Sequence, residues 1–154
     1  MLRALIVDDN EGSITSFRYL VQNAGLDNTL MVDTASTVEE GYGKLQSKCY
    51  DYLFIDVTMG EITERPFVGL GISARDLGQP LGLRLAEKAK EVTDATLIAI
   101  TANTLDKAHG RELFNYILEK PFRGKQETLK QIINRETDEE RNARLIKEIE
   151  SERK

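Results

Sequence analysis

The feature that most restricts the fold of this sequence is its alternation of short apolar runs with stretches of helical period. Ala4-Leu5-Ile6-Val7, Leu30-Met31-Val32, Tyr52-Leu53-Phe54-Ile55 and Leu97-Ile98-Ala99-Ile100 are four such runs, and a fifth lies around Tyr116 to Leu118. Runs this short and this uniformly apolar suit strands buried on both faces, as in a parallel sheet. After the first run, Ile14, Phe17, Leu20, Val21 and Ala24 recur on one helical face, and Gly25 is placed to close that helix. Val38, Tyr42 and Leu45 mark a second helix, for which Ser36 and Glu39 form an S-x-x-E capping box. Leu83, Leu85, Ala86 and Ala89 predict a helix from about Gly82 to Glu91. A brief helix is predicted near Thr104 to Glu112, and a last one carries Leu129, Ile132 and Ile133. The alternation predicts an α/β domain of five strand–helix units.

Composition narrows the function classes. A chain of 154 residues is long enough for one domain, and 40% hydrophobic with 31% charged residues argues against disorder throughout. The apolar runs of four to six residues fall far short of the roughly 20 needed to span a bilayer. The first run ends in Asp8-Asp9, which is not a signal peptide. A single cysteine, Cys49, excludes an internal disulfide, so a reducing cytoplasm is the expected location and a small packing residue the expected role. A net charge of −5 argues against non-specific nucleic-acid binding. Neither nucleic acid nor membrane is an expected partner. His109, the one histidine, lies in a polar stretch without ligand partners nearby and is expected to be inert.

Two stretches exceed a minimal five-unit design. Residues 60–80 hold Gly60, Pro66, Gly69, Gly71, Gly78 and Pro80 without clean periodicity, and connections beyond about 12–15 residues are often functional. Residues 135–154 carry 13 charged residues among 20, with Ala143, Leu145, Ile146 and Ile149 the apolar exceptions. The expected division is therefore a domain over 1–134 and a charged helical extension over 135–154, with Thr137 and Glu140 offering a second capping box. A solvated helix is the first reading of the extension. A homodimer or partner helix on its short apolar stripe is the second, and a linker the third. With the chain ending at Lys154, no DNA-binding module is expected after it.

The residues just past each apolar run carry the chemistry, because open α/β sheets bind ligands at the carboxyl ends of their strands. The first run ends in Asp8-Asp9, the third in Asp56, the fourth in Thr101 and the fifth in Lys120-Pro121; the second has no such group. Three carboxylates, a hydroxyl and an ammonium would converge on one rim. Two like charges 4 Å apart repel by about 4 kcal/mol at an effective dielectric of 20. The acids therefore call for a bound cation, and Mg²⁺ suits an all-oxygen site. A carboxylate so neutralised can act as nucleophile on a phosphoryl group, giving an aspartyl phosphate.

The segments Leu5-Ile6-Val7-Asp8-Asp9-Asn10, Phe54-Ile55-Asp56, Ala99-Ile100-Thr101-Ala102 and Glu119-Lys120-Pro121-Phe122 resemble the receiver domain of two-component response regulators, over roughly residues 3 to 133. The resemblance implies a flavodoxin-like five-stranded parallel sheet of order 2-1-3-4-5 with helices on both faces. It also implies Mg²⁺-dependent phosphotransfer to Asp56 from a histidine kinase or histidine phosphotransfer protein, and a downstream protein partner. By matching positions, Asp9 and Asp56 would ligate Mg²⁺, Asp8 would assist through water, and the Thr58 backbone carbonyl would be a further ligand. Thr101 and Lys120 would contact the phosphoryl group, and the Lys120–Pro121 bond would be cis.

The departures from the family pattern are specific. Met59 is followed by Gly60 rather than proline, and the matching glycine, Gly82, lies 26 positions beyond Asp56. The insertion between them is expected to act as a lid or partner-docking loop, in which Arg65 and Arg75 would either reach anions or stay solvated. Ile117 stands where receivers carry a switching aromatic, while its neighbour Tyr116 would face the opposite way. The stretch from Thr101 to Lys120 is also short for the family, so the helix within it would be abbreviated. A phosphoacceptor that signals or relays by protein contact is thus the first functional reading. A non-switching interaction module that uses its insertion and C-terminal helix as docking surfaces is the alternative. A phosphohydrolase with an aspartyl nucleophile ranks last, because Asp56-Val57-Thr58 lacks a second acid.

Overall fold

A computed structural model describes residues 1–57, 81–101 and 113–134. In chain order it holds β1 (Leu2–Val7), α1 (Glu11–Asn23), β2 (Leu30–Ala35), α2 (Val38–Ser47), β3 (Tyr52–Asp56), α3 (Leu81–Val92), β4 (Thr96–Thr101) and β5 (Tyr116–Glu119). A further helix, α4, covers residues 126–134. The predicted helix at 104–112, the insertion with Thr58, Arg65 and Arg75, His109 and the tail at 135–154 lie outside the described residues.

The strands form one parallel sheet of order β2-β1-β3-β4-β5, as expected for the flavodoxin-like fold. Burial on both sides explains the uniform apolar runs of β1, β3 and β4, whereas Met31 on edge strand β2 is exposed. Alternate strand residues point to opposite faces. Ala4, Ile6, Tyr52, Phe54, Ile98, Ile100 and Leu118 meet α1 and α4 through Phe17, Leu20, Val21, Leu129, Ile132 and Ile133. Leu5, Val7, Leu53, Ile55 and Leu97 meet α2 and α3 through Val38, Tyr42, Leu45, Leu85, Ala86 and Ala89. Each helix thus buries the face its apolar spacing marked out. No described helix is long and apolar enough to cross a membrane.

Local chemistry sets the helix ends. The Asn10 side chain accepts from the Ser13 N–H and caps α1. At the other end, Gly25 at φ 71° allows the Gly25 N–H to reach Gln22 O and the Leu26 N–H to reach Val21 O. This paired closure needs a left-handed residue after the cap. Two expectations from the sequence require correction. The capping box of α2 is shifted by one residue: Thr37 is the N-cap and accepts from the Glu40 N–H, while the Glu40 carboxylate reaches back to the Ser36 N–H. Thr37 and Glu40 have the same spacing as Ser36 and Glu39, so the pattern alone could not choose between them. Cys49 is exposed rather than packed, and the buried side chain in that turn is Tyr50. Strand β2 also runs three residues further than its apolar core, to Ala35. The ladder to β1 holds Asp33, Thr34 and Ala35 in register despite the polar side chains.

Candidate functional site

Asp8 and Asp9 follow β1, Asp56 ends β3, Thr101 ends β4, and Lys120 follows β5. Because the strands are parallel, these positions fall on one rim of the sheet. One carboxylate oxygen from each of Asp8, Asp9 and Asp56 lies within 4.8 Å of the others. Asp8, Asp56 and Thr101 are buried, whereas Asp9 is exposed on the outer side of the cluster. The Lys120 ammonium enters the group, with Nζ 2.7 Å from Asp8 Oδ2 and 3.2 Å from Asp56 Oδ2. Its backbone N–H donates to Thr101 O at 2.8 Å. The peptide bond from Lys120 to Pro121 is cis.

Asp8 does not cap α1, since Asn10 fills that position. Asp8 Oδ1 instead accepts from the Asn10 N–H at 2.9 Å. Its buried Oδ2 faces the Lys120 ammonium as an ion pair. Burial pushes the Asp8 carboxyl above the usual carboxylate range and the nearby Asp56 charge adds to this, while Lys120 and the Asn10 N–H pull against them. For Lys120, burial disfavours the ammonium, but the Asp8 and Asp56 carboxylates outweigh it and hold the group above the ordinary lysine value. One ammonium against three carboxylates leaves about two negative charges uncompensated when all are ionised. A set of three neighbouring carboxylates with this excess of negative charge fits a small divalent cation with oxygen ligands.

Of three further features of this rim, only an aromatic cluster went unmarked in the sequence, where Gly82 and Ile117 already stood as the matching glycine and the position of the switching aromatic. Phe17 of α1, Phe54 of β3 and Phe122 meet in the core in tilted and edge-on contacts, with ring centroids 4.6 Å apart for Phe17–Phe54 and 5.7 Å for Phe17–Phe122. The rings come from α1, from β3 two residues before Asp56, and from the segment two residues after Lys120, so the cluster joins these three elements. Helical spacing marked Phe17 as core, while Phe54 and Phe122 stood in the segments that carry the family resemblance, with nothing in the sequence bringing the three together. Gly82, at the start of α3, lies against the Asp56 backbone. Ile117 packs with Val57 and Ala99, while Tyr116 packs against the opposite core, as the strand alternation predicts. Away from the rim, a hollow of about 590 Å³ between the ends of α2 and α3 is lined by residues such as Lys48, Tyr50, Lys90 and Asp94 and contains none of these groups.

No protein-family model matches the sequence, and neither does any curated protein. Solved structures do match. A CheY-like response regulator receiver domain from Methanospirillum hungatei shares 19% identity, with a TM-score of 0.67, over 93% of this chain and 98% of that one. A two-component response regulator from Clostridium difficile shares 20% identity at a TM-score of 0.63, over 88% and 98%. The response regulator protein TrrA from Thermotoga maritima, solved with Mg²⁺ and BeF, shares 24% identity at a TM-score of 0.60, over 87% and 98%. At these identities the likeness is one of architecture, and it spans nearly the whole of each matched chain: this chain has the fold of the response regulator receiver domains.

Proposed function

We propose that the chain is a response-regulator receiver that accepts a phosphoryl group on Asp56 and signals or relays through protein contacts. The carrying observation is the convergence of Asp8, Asp9 and Asp56 around the Lys120 ammonium at the carboxyl ends of the strands. Asp56 is the buried acid that ends the central strand, and it supplies the nucleophilic oxygen. In the transfer, that oxygen bonds to phosphorus as the bond from phosphorus to the donor breaks. Lys120 and Thr101 flank Asp56 and hold two of the phosphoryl oxygens as charge builds on them. Asp8, Asp9 and Asp56, with the Thr58 carbonyl suggested by the family pattern, would hold Mg²⁺. When bound, it neutralises the acids and screens the incoming anion. A histidine kinase or histidine phosphotransfer protein is the proposed donor, and a downstream protein the proposed reader. The domain boundary near residue 134 and the 135–154 extension belong to the same proposal.

The decisive measurement is intact mass after exposure to Mg²⁺ and a small acyl phosphate. One phosphoryl adduct is expected, and it is lost when Mg²⁺ is chelated or Asp56 is replaced in Asp56→Asn. An adduct that persists in Asp56→Asn would place the chemistry elsewhere. No adduct together with no beryllofluoride binding would favour a fixed docking module.

A further inference from the structure

Helix α3 meets the sheet at a point that has no room for a side chain. A Cβ added at Gly82 would stand 2.0 Å from the Asp56 carbonyl oxygen, 2.9 Å from Val57 Cα and 3.0 Å from the Asp56 carbonyl carbon. Every obstacle there is backbone. At Gly41 of α2, by contrast, the nearest obstacles are the Val7 methyl groups, which can shift. Asp56 is held unevenly by its own sheet. Pairing of β3 with β1 stops at Val7–Ile55, while pairing with β4 continues through Asp56–Ile100, with the Val57 N–H on Ile100 O at 3.2 Å. The first turn of α3 closes the remaining side, and Leu83 packs on Val57 and Ala99 just beyond it.

We propose that Gly82 is a positioning residue for the phosphoacceptor: by admitting α3 onto the Asp56–Val57 backbone, it sets where the Asp56 carboxylate stands relative to Asp8, Asp9 and Lys120. This rests on the reading of Asp56 as the phosphoacceptor. Although 26 positions apart in sequence, the two residues are in direct backbone contact, so α3 is registered on the acceptor itself. An added methyl group forces either α3 or the Asp56 peptide to move by about 1 Å, a displacement that costs up to about a hundredfold in rate when it misplaces a reacting group.

The test uses the full chain, Mg²⁺ and a small acyl phosphate, well below the melting transition. Gly82→Ala should slow Asp56 phosphorylation by about tenfold or more. Gly43→Ala provides a stabilising background, because a Cβ there meets nothing within 4 Å on exposed α2. The double variant should recover part of the lost melting temperature but none of the lost rate. A Gly82→Ala rate equal to that of the wild type, or a double variant that recovers rate and stability together, overturns the positioning role. Should Gly82→Ala fail to fold, the wild-type Gly82 amide resonance decides the matter: it should shift on Mg²⁺–beryllofluoride binding, and an unmoved resonance overturns the proposal. A wild-type chain that takes up neither phosphoryl group nor beryllofluoride defeats the phosphoacceptor reading itself, whereas normal wild-type labelling with a normal Gly82→Ala rate defeats the positioning role alone.

Discussion

Asp33 and Tyr50 show how a single polar pair can be held at a sheet edge. Asp33 lies on edge strand β2, where its Oδ2 accepts from the Tyr50 hydroxyl at 2.7 Å, with Lys48 Nζ 3.5 Å away. The Tyr50 hydrogen bond, helped by the lysine charge, holds the Asp33 carboxyl below its ordinary value, although partial burial opposes this. Burial, with Asp33 adding to it, pushes the Tyr50 phenol well above its ordinary value. The signs define two pH windows. A depressed acid contributes stability above its unfolded value, near 3.9, that is lost as pH falls through its folded value. A raised phenol contributes stability below about pH 10 that is lost as pH rises through its folded value. Tyr50→Phe should therefore lower unfolding free energy at neutral pH by about 1–2 kcal/mol. In urea titrations the gap from wild type should narrow as Asp33 becomes protonated below about pH 4. A gap that stays constant into acid would show that the charged form of Asp33 is not what the hydroxyl stabilises.

At the scale of elements, the two ends of α1 are closed by different chemistry, and glycine substitutions separate conformation from space. Gly25 adopts φ 71° with nothing within 4 Å of an added Cβ, so its constraint is purely one of backbone conformation. Gly43 has the same open surroundings but lies inside α2 at an ordinary helical φ. Alanine should thus act in opposite directions at the two sites. Gly25→Ala is expected to lower stability by about 1–2 kcal/mol, because a left-handed conformation is strained for any side chain. Gly43→Ala is expected to raise it by about 0.5–1 kcal/mol, through reduced freedom of the unfolded chain. Denaturant midpoints of the two variants, measured side by side, check both signs. Two shifts in the same direction would mean that one of these backbone environments is not as described.

For the molecule as a whole, the rim is where burial and charge oppose each other. The hydrophobic layers on both sheet faces hold Asp8, Asp56 and Thr101 in buried positions whatever their charge. Burial at this rim disfavours the charged form of Asp8, and on the proposed reading a divalent cation among the three acids would relieve that cost. Binding to the folded state alone stabilises it by about 1.4 kcal/mol at ten times the dissociation constant. For a domain of this length, that corresponds to a rise of about 3–6 °C in melting temperature. Addition of Mg²⁺ to chelator-treated protein should produce such a rise, and Asp9→Ala should reduce it sharply. Equal rises in both proteins would mean that the ion acts elsewhere on the surface.

Much of this architecture was determined by the sequence alone, for reasons that are local. Strand and helix identity follow from apolar spacing, so β1 to β5 and the residues at their ends, Asp8, Asp9, Asp56, Thr101 and Lys120, were legible, while the strand order came with the family resemblance. The clasp at Gly25 was legible because only glycine enters the left-handed region cheaply. The capping register was not, because Ser36 and Thr37 offer the same chemistry one residue apart. The exposure of Cys49 depends on which side chain of a turn reaches the core, and Tyr50 takes that place. Only the tertiary structure decided that Tyr50 binds Asp33, that Phe17, Phe54 and Phe122 meet in the core, and that Gly82 lies on the Asp56 backbone. Each of these brings together residues from separate elements, at distances set by how helices seat on a sheet, and no periodicity along the chain encodes such a distance.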